Sequence, residues 1–247
     1  MARSLDFLES NHRKPSKFVP EERNLDTYCE TIGQLLSEQG GDKYLLIELL
    51  FPIFAIVMKR TKEDILTLKA VVLYIIQHSS LERRDVYSIV KTAFYAQQSQ
   101  LAQSGIPLFN DEICALPFGP VPSDIYDILK IARGDQSEIE FHKNDGLIDI
   151  AAAIGFDAEQ FSAKENPDMD YLSISDIEAI DSAIKKVAAM SFDDIKKDTH
   201  SEEWNRVFNS KRGKKVMNNV NIAKEGNASP EMLEYLKEYY ALENALR

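Results

Sequence analysis

The chain has 247 residues, a net charge of −11 and a pI near 4.9, and 44% of its residues are hydrophobic. This length and apolar content suffice for one large domain, or for one domain with a substantial extension. The excess of carboxylates argues against broad nucleic-acid binding, whose affinity rests on lysine and arginine neutralising phosphates. The two cysteines, Cys29 and Cys114, lie far apart and form no C-x-x-C pair, which argues against a disulfide framework and a structural zinc site.

Residues 1–60 are interpreted as an N-terminal helical extension. Met1 to Phe18 is polar and of mixed charge, without the apolar segment of a signal peptide. The apolar run from Tyr44 to Met58 is shorter than the roughly 20 residues of a membrane-spanning helix, and it contains Glu48 and Pro52. It therefore predicts a buried helix with a break near Pro52, and we expect a cytoplasmic protein with no membrane partner.

Helical patterns then follow through residues 61–247. From Val86 to Phe94 apolar residues recur on one helical stripe, while Tyr87, Lys91 and Tyr95 fall four apart on another face. Capping patterns predict four further helix starts, at Thr61 with Asp64, Ser173 with Asp176, Ser191 with Asp194 and Thr199 with Glu202. Ser229-Pro230 is expected to begin a last helix.

Two segments depart from helical spacing. Pro107 to Val121 has Pro, Asn and Gly punctuation and a short alternation around Ile113 and Ala115, which predicts a loop with one short strand. Ser137 to Ile150 alternates around Asn144-Asp145-Gly146, which predicts a β-hairpin. The predicted fold class is mainly α, α+β at most, with a single helical domain at residues 61–247 that contains a short hairpin or small sheet.

Signatures of catalysis are sparse. The histidines, His12, His78, His142 and His200, lie in no metal-ligand spacing such as H-E-x-x-H, and the chain has no P-loop, G-x-S-x-G or G-x-G-x-x-G pattern. The sequence around Cys114 indicates neither a base nor the electropositive setting that a nucleophilic thiol needs. We therefore predict no catalytic residue, no metal and no cofactor.

His200 has two interpretations. In the structural one, Thr199 caps a helix, and the imidazole occupies the first helical position, where it stacks on Trp204 or bonds to a neighbouring loop. In the functional one, Thr199 orients His200 as a base or a ligand-binding residue.

A series of short motifs resembles a known family. Its first part comprises Lys91 to Tyr95, Pro107-Leu108-Phe109, Asp111, Ala115, Gly119-Pro120-Val121 and Tyr126. Its second part comprises Leu172-Ser173, Ile180-Asp181, Thr199-His200 and Trp204. In this order the motifs resemble the Panacea domain family, which includes SocA-like antitoxins and phage-associated GepA-like proteins, from about Ile65 to Tyr240. Residues 1–60 have no counterpart in the minimal domain of that family.

The resemblance implies an antitoxin of a toxin–antitoxin system, which is no enzyme and neutralises a cognate toxin by direct contact. It also implies that a protease is a candidate second partner, with the protein as its adaptor, and it leaves a homo-oligomer open. Residues 1–60 are then the candidate for toxin selection. The implied binding residues are Lys91, Tyr95, Asp111, Gly119, Pro120, Tyr126, Thr199, His200 and Trp204.

Two other functions stay open at the level of sequence. One is a hydrolase-like enzyme with a pocket around Lys91, Asp111 and His200. The other is a nucleic-acid-binding regulator, which the acidic balance disfavours and which would need a marked basic face. The role of Asp111 is equally open, because its carboxylate can either accept hydrogen bonds from loop N–H groups or pair with Lys91.

Overall fold

Helices dominate the computed structural model, which describes residues 60–142, 145–211 and 215–246. In chain order the elements are α1 (Lys62–His78), α2 (Val86–Ser104), β1 (Ile113–Leu116), β2 (Gly119–Pro122), α3 (Ser123–Ala132), α4 (Gln136–Phe141), α5 (Leu147–Ala152), β3 (Ile154–Asp157), β4 (Gln160–Ala163), α6 (Ile174–Ala189), α7 (Phe192–Thr199), α8 (Glu202–Phe208), α9 (Asn219–Glu225) and α10 (Pro230–Leu246), with 3-10 turns at Leu81–Arg83 and Met169–Tyr171. The predicted fold class, mainly α with small sheets, is confirmed. The predictions for residues 1–59, including the apolar run, lie outside the described residues.

Three of the four predicted capping boxes are confirmed, at the starts of α1, α6 and α7. In each, the cap hydroxyl accepts the N–H three residues on, and the aspartate there accepts the N–H of the cap: Thr61 with Asp64, Ser173 with Asp176, and Ser191 with Asp194. Each box satisfies two of the N–H groups that a helix start leaves without an intrahelical partner. The last helix, α10, begins at Pro230 as predicted.

The helix α2 is central to the domain and packs against α1, α6, α9 and β2. It begins where the Asp85 side chain accepts the N–H of Ser88, and it ends at Gly105 in the left-handed conformation. Because neighbours surround this helix, burial extends beyond the apolar stripe to polar residues, namely Ser88, Lys91, Thr92, Gln97 and Gln100. Buried polar groups need hydrogen-bond partners, and those partners determine the geometry described below.

The segment from Pro107 to Val121 is more ordered than predicted. The short strand predicted around Ile113 is β1, and the segment also contains the start of β2, paired antiparallel with β1 so that Leu116 lies opposite Gly119. The backbone from Lys215 to Met217 pairs with the other edge of β1, through Ala115 N–H to Lys215 O and Met217 N–H to Ile113 O. The bonds from β1 to Lys215 and Met217 join residues about 100 positions apart in sequence, so local patterning does not reveal this pairing.

The predicted β-hairpin at Ser137 to Ile150 is wrong, because the described part of this segment forms α4 and α5. The Asp135 carboxylate accepts the N–H groups of Ser137 and Glu138 and so begins α4. Phe141 is 76% exposed, so the apolar alternation does not mark an inward-facing strand. The second hairpin is instead β3–β4, whose turn residues Ala158 and Glu159 have positive φ angles.

Across the described residues, no helix is both long enough and apolar enough to cross a membrane.

Candidate functional site

Lys91 lies in the middle of α2 and is completely buried. Its Nζ donates a hydrogen bond to the carbonyl oxygen of Pro120 in β2 over 2.7 Å, and it lies 5.4 Å from the ring centre of Tyr87. Burial lowers the pKa of Lys91 well below its usual value, because an ammonium group removed from water loses its hydration. The lysine therefore joins α2 to the first hairpin rather than offering its amine to solvent.

Gly119, the first residue of β2, allows the hairpin to approach both Lys91 and α7. Its φ of +100° lies in the region that favours glycine. A Cβ atom at this position would lie 2.6 Å from Thr199 Oγ1 and 2.7 Å from Lys91 Nζ. The Gly119-Pro120 motif thus has a steric role: its glycine removes the atom that would separate the hairpin from α2 and α7.

Thr199 does not cap a helix, which corrects the prediction made from its spacing to Glu202. It is the last residue of α7, and its hydroxyl donates to Ile195 O over 2.8 Å. The cap of α8 is Ser201, whose backbone is extended and whose side chain accepts the N–H of Trp204. Sequence spacing could not separate the two candidates, since both hydroxyl residues precede the acidic pair at the start of α8.

His200 connects α7 to α8 and is therefore not at a first helical position. Its ring nevertheless stacks on Trp204, one of the two contacts that the structural interpretation allowed, with the centroids 3.6 Å apart and the planes within 10°. Trp204 in turn donates its Nε1–H to Leu116 O over 3.0 Å. Burial lowers the pKa of His200, and Lys196 and Lys91 lower it further.

Asp111 caps α3 through its side chain. Its carboxylate accepts the N–H of Asp124 at 2.9 and 3.0 Å and that of Ile125 at 3.3 Å. Of the two roles left open by the sequence, Asp111 thus has the one in which it accepts backbone N–H groups. Lys91 donates to Pro120 instead of pairing with Asp111. Burial raises the pKa of Asp111, as does the charge of Asp124, whereas the two N–H donors and Arg60 oppose that rise. Arg60 also forms an ion pair with Asp124, which ties the first described residue to α3.

Tyr95 differs from the other residues predicted for the site, because it borders a cleft. Its hydroxyl donates to Asp198 Oδ2 over 2.6 Å, and Lys186 Nζ donates to the same oxygen over 2.8 Å. Lys186 Nζ also lies 3.9 Å from the ring centre of Tyr95. The cleft has a volume of about 200 Å³. It is lined by Tyr95, Gln98, Ser99, Ala179, Ser182, Ala183, Lys186, Glu225, Gly226 and Asn227.

Most of the other predicted site residues fall into two groups that lie in different places. Lys91, Gly119, Pro120, Thr199 and Trp204 come together between α2, the first hairpin, α7 and α8, and all five are buried. Asp111 and Tyr126 are half-buried beside α3 and are not joined to that group by a hydrogen bond in the described structure. The geometry of the predicted site is thus mostly that of a scaffold, and Tyr95, which is also buried, borders the cleft.

Two groups of charged residues were missed by sequence reasoning. Glu203 is buried, and its carboxylate accepts hydrogen bonds from Arg206, the backbone of Asn218 and the Asn221 amide. The second group surrounds His142 between α3 and α4. Glu138 and His142 are four residues apart, a spacing that places them on one helical face; the signal was present in the sequence but was hidden by the wrong hairpin prediction.

Comparison with known proteins gives one match. Residues 89–205 match the family model described as the SocA-like antitoxin, Panacea domain. No curated protein and no solved structure matches the chain. The matched range contains all nine predicted site residues and is narrower than the resemblance inferred from about Ile65 to Tyr240. The resemblance is confirmed over that range: residues 89–205, just under half of the 247, match the SocA-like Panacea antitoxin domain.

Proposed function

We propose that this protein is the antitoxin of a toxin–antitoxin system and neutralises a cognate toxin by direct protein–protein binding, without catalysis. The observation that carries this proposal is the Panacea domain match at residues 89–205. The match supports a protein partner in general, and the proposal extends it to a toxin encoded by the neighbouring gene. An adaptor role, in which the bound toxin is passed to a protease, is a further step of the same proposal. The protein acts in the cytoplasm in this account.

The geometry favours binding over the hydrolase alternative. In a hydrolase site, Lys91, Asp111 and His200 would direct free donors and acceptors at a common substrate atom. Instead, Lys91 Nζ is committed to the Pro120 carbonyl and the Asp111 carboxylate to the start of α3. These bonds hold the scaffold together, which leaves partner recognition to surfaces around it.

We place the toxin contact at the cleft between α2, α6 and the end of α9. Tyr95 is the predicted site residue that lines it. Both signs of charge line it, from Lys186 and from Glu225, whose Oε2 is buried and has no hydrogen-bond partner among the described residues. An unsatisfied buried carboxylate oxygen is costly, and a donor from a partner side chain in the cleft would remove that cost.

Blocking the cleft is expected to weaken toxin binding. Ser182 is an exposed residue of α6 that lines the cleft, so Ser182→Arg fills the space without disturbing the core. Co-purification of the tagged protein with the product of the adjacent gene is the measurement. We expect the Ser182→Arg variant to lose at least about tenfold in affinity, equivalent to roughly 1.4 kcal/mol.

The matched control is Ala188→Arg, which adds the same side chain to an exposed position of α6 outside the cleft lining. Equal binding by the parent and both variants, with unchanged melting temperatures, would show that the toxin contacts another surface.

The N-terminal extension, residues 1–60, remains the candidate for selecting the toxin, because the family match begins only at residue 89. A chain that begins at Arg60 keeps the ion pair with Asp124. If this shortened chain melts like the parent protein and still neutralises the same toxin, selection by residues 1–59 is excluded.

A further inference from the structure

Three side chains of the kind that bind metal ions meet between α3 and α4. Asp127 lies on α3, Glu138 lies on α4, and His142 directly follows α4; one donor atom from each lies within 4.8 Å of the others. His142 Nε2 is 3.2 Å from Asp127 Oδ2 and 3.5 Å from Glu138 Oε2. Ligands placed about 2.0–2.1 Å from a tetrahedral Zn²⁺ ion are themselves about 3.3 Å apart, so the spacing of these atoms suits a shared ion.

The state of the His142 ring gives independent support. Its side chain is only 3% exposed, and its Nδ1 lies 2.5 Å from Asp145 Oδ2 in a hydrogen bond. Nε2 is buried and forms no hydrogen bond to any described residue. When Nδ1 donates its proton to Asp145, Nε2 is the ring nitrogen that faces the two carboxylate oxygens. A positive charge at this point, from a proton on Nε2 or from a bound metal ion, relieves the repulsion between the ring nitrogen and the carboxylates.

Lys130 partly neutralises the carboxylates of Asp127 and Glu138 but does not lie between them and His142. Its Nζ is 2.6 Å from Asp127 Oδ1 and 2.5 Å from Glu138 Oε1, the oxygens other than those that face His142. One ammonium group offsets one of the two carboxylates, so a negative charge remains on the side of the histidine. An ion at Nε2 would therefore not have to displace Lys130.

Asp145 contacts the other ring nitrogen of His142, Nδ1. Metal-bound histidines usually donate their second ring N–H to a carboxylate, which fixes the tautomer and the ring orientation. Asp145 has that relation to His142 and is itself held by Arg60 Nη1 at 3.3 Å. The ligand set and its positioning residue are thus both present in one ionic network.

We propose that Asp127, Glu138 and His142 bind a divalent transition-metal ion, with Asp145 as the positioning residue. One imidazole and two carboxylates suit Zn²⁺ and its first-row neighbours, and water completes the coordination. The ion fastens α4 to α3 at a place where Lys130 supplies the only positive charge of a described side chain within 3 Å of both carboxylates. The role is structural and independent of the toxin contact proposed above.

The test uses the full chain and Zn²⁺ itself. Protein freed of metal with a chelator is titrated with Zn²⁺ in a calorimeter, and melting temperatures are recorded with and without the ion. We expect one equivalent to bind at this site and to raise the melting temperature, since a ligand that binds only the folded state stabilises it. X-ray absorption at the zinc edge should show one imidazole nitrogen with oxygen ligands and no sulfur.

His142→Gln and Glu138→Gln should each remove that equivalent. Glu138 has a side chain that is 22% exposed, so its variant remains informative if His142→Gln fails to fold. The control is His78→Gln, which removes an exposed histidine whose Nδ1 bonds to the Tyr74 carbonyl; it should bind like the parent. Absence of Zn²⁺ binding, sulfur in the coordination shell, or binding unchanged in the Glu138→Gln variant would overturn the proposal.

Discussion

Replacing Gly119 by alanine is expected to lower the free energy of unfolding by about 3 kcal/mol or more. Two costs add at this residue. Its φ of +100° is strained for any residue with a Cβ, which costs roughly 1–2 kcal/mol. The new methyl group would also overlap Thr199 Oγ1 and Lys91 Nζ, and overpacking of this kind costs about 1–3 kcal/mol. Chemical denaturation followed by circular dichroism measures the change.

Gly134→Ala separates these two costs. Gly134 also has a positive φ, +95°, but no heavy atom lies within 4 Å of the position of its Cβ. We expect that variant to lose only about 1–2 kcal/mol, the cost of the backbone alone. If both variants lose the same amount, the close contact of the hairpin with α2 and α7 has no energetic weight.

Replacing Lys91 by alanine is expected to destabilise the protein by about 3–5 kcal/mol. Truncation leaves a cavity where the buried four-carbon chain packed, and large-to-small core changes cost about 2–5 kcal/mol. It also leaves the Pro120 carbonyl without its donor, and a buried unsatisfied group costs about 1–3 kcal/mol. Urea unfolding, with the slope checked for two-state behaviour, measures the loss.

Lys91→Met is the matched variant, because it keeps an unbranched apolar side chain as far as Cε, with sulfur in place of Cδ, and lacks the amine. We expect it to lie within about 1.5 kcal/mol of the parent, since the lost hydrogen bond is offset by the removal of a buried ionisable group. A loss as large as that of Lys91→Ala would contradict this and would make the amine itself the main source of stability.

The difference in stability between the parent and Lys91→Met is expected to depend on pH, with a sign that follows from the pKa of Lys91. Burial lowers the pKa of Lys91 in the folded state, so between that pKa and the unfolded value of about 10.4 the unfolded chain binds more protons. The stability of the parent relative to Lys91→Met therefore rises with pH across that window. Denaturation at pH 7, 8 and 9 should show the difference growing in favour of the parent; a flat or falling difference would contradict a lowered pKa.

These variants also bear on function. Gly119, Lys91 and Thr199 belong to a buried contact, so their substitution should weaken toxin binding only in proportion to the loss of folded protein. Ser182 lies on the surface of α6, where substitution should weaken binding at constant stability. The two classes of variant thus distinguish a scaffold from a contact surface within one domain.

Helix starts were predictable from sequence where the interaction is local. The boxes at Thr61, Ser173 and Ser191 each depend on residues three apart, and periodicity identified the buried stripe of α2. The hairpins were not predictable in the same way. The β3–β4 turn uses Ala158 and Glu159 at positive φ, residues that lack the Asn-Gly signal of such turns.

The candidate site shows the same division. The motif order placed Lys91, Gly119-Pro120 and Thr199 in one family resemblance, but it could not say that the lysine donates to a carbonyl 29 residues away. The spacing of Thr199 to Glu202 predicted a cap at Thr199, but Ser201 has the same spacing to Trp204 and is the residue that caps α8. The cluster of Asp127, Glu138 and His142 was not predicted, because the segment that contains Glu138 and His142 was predicted as a hairpin. Alternation and helical spacing are hard to separate over short apolar segments.

Growth rescue tests the central claim most directly. The product of the adjacent gene is expressed from an inducible promoter, alone and together with this protein, and colony-forming units are counted. We expect the neighbour to arrest growth by itself, and we expect the parent protein and Ala188→Arg to restore it while Ser182→Arg does not. Arrest that persists in the presence of the folded parent protein, or a neighbour that is harmless alone, would contradict the assignment as an antitoxin of that gene pair.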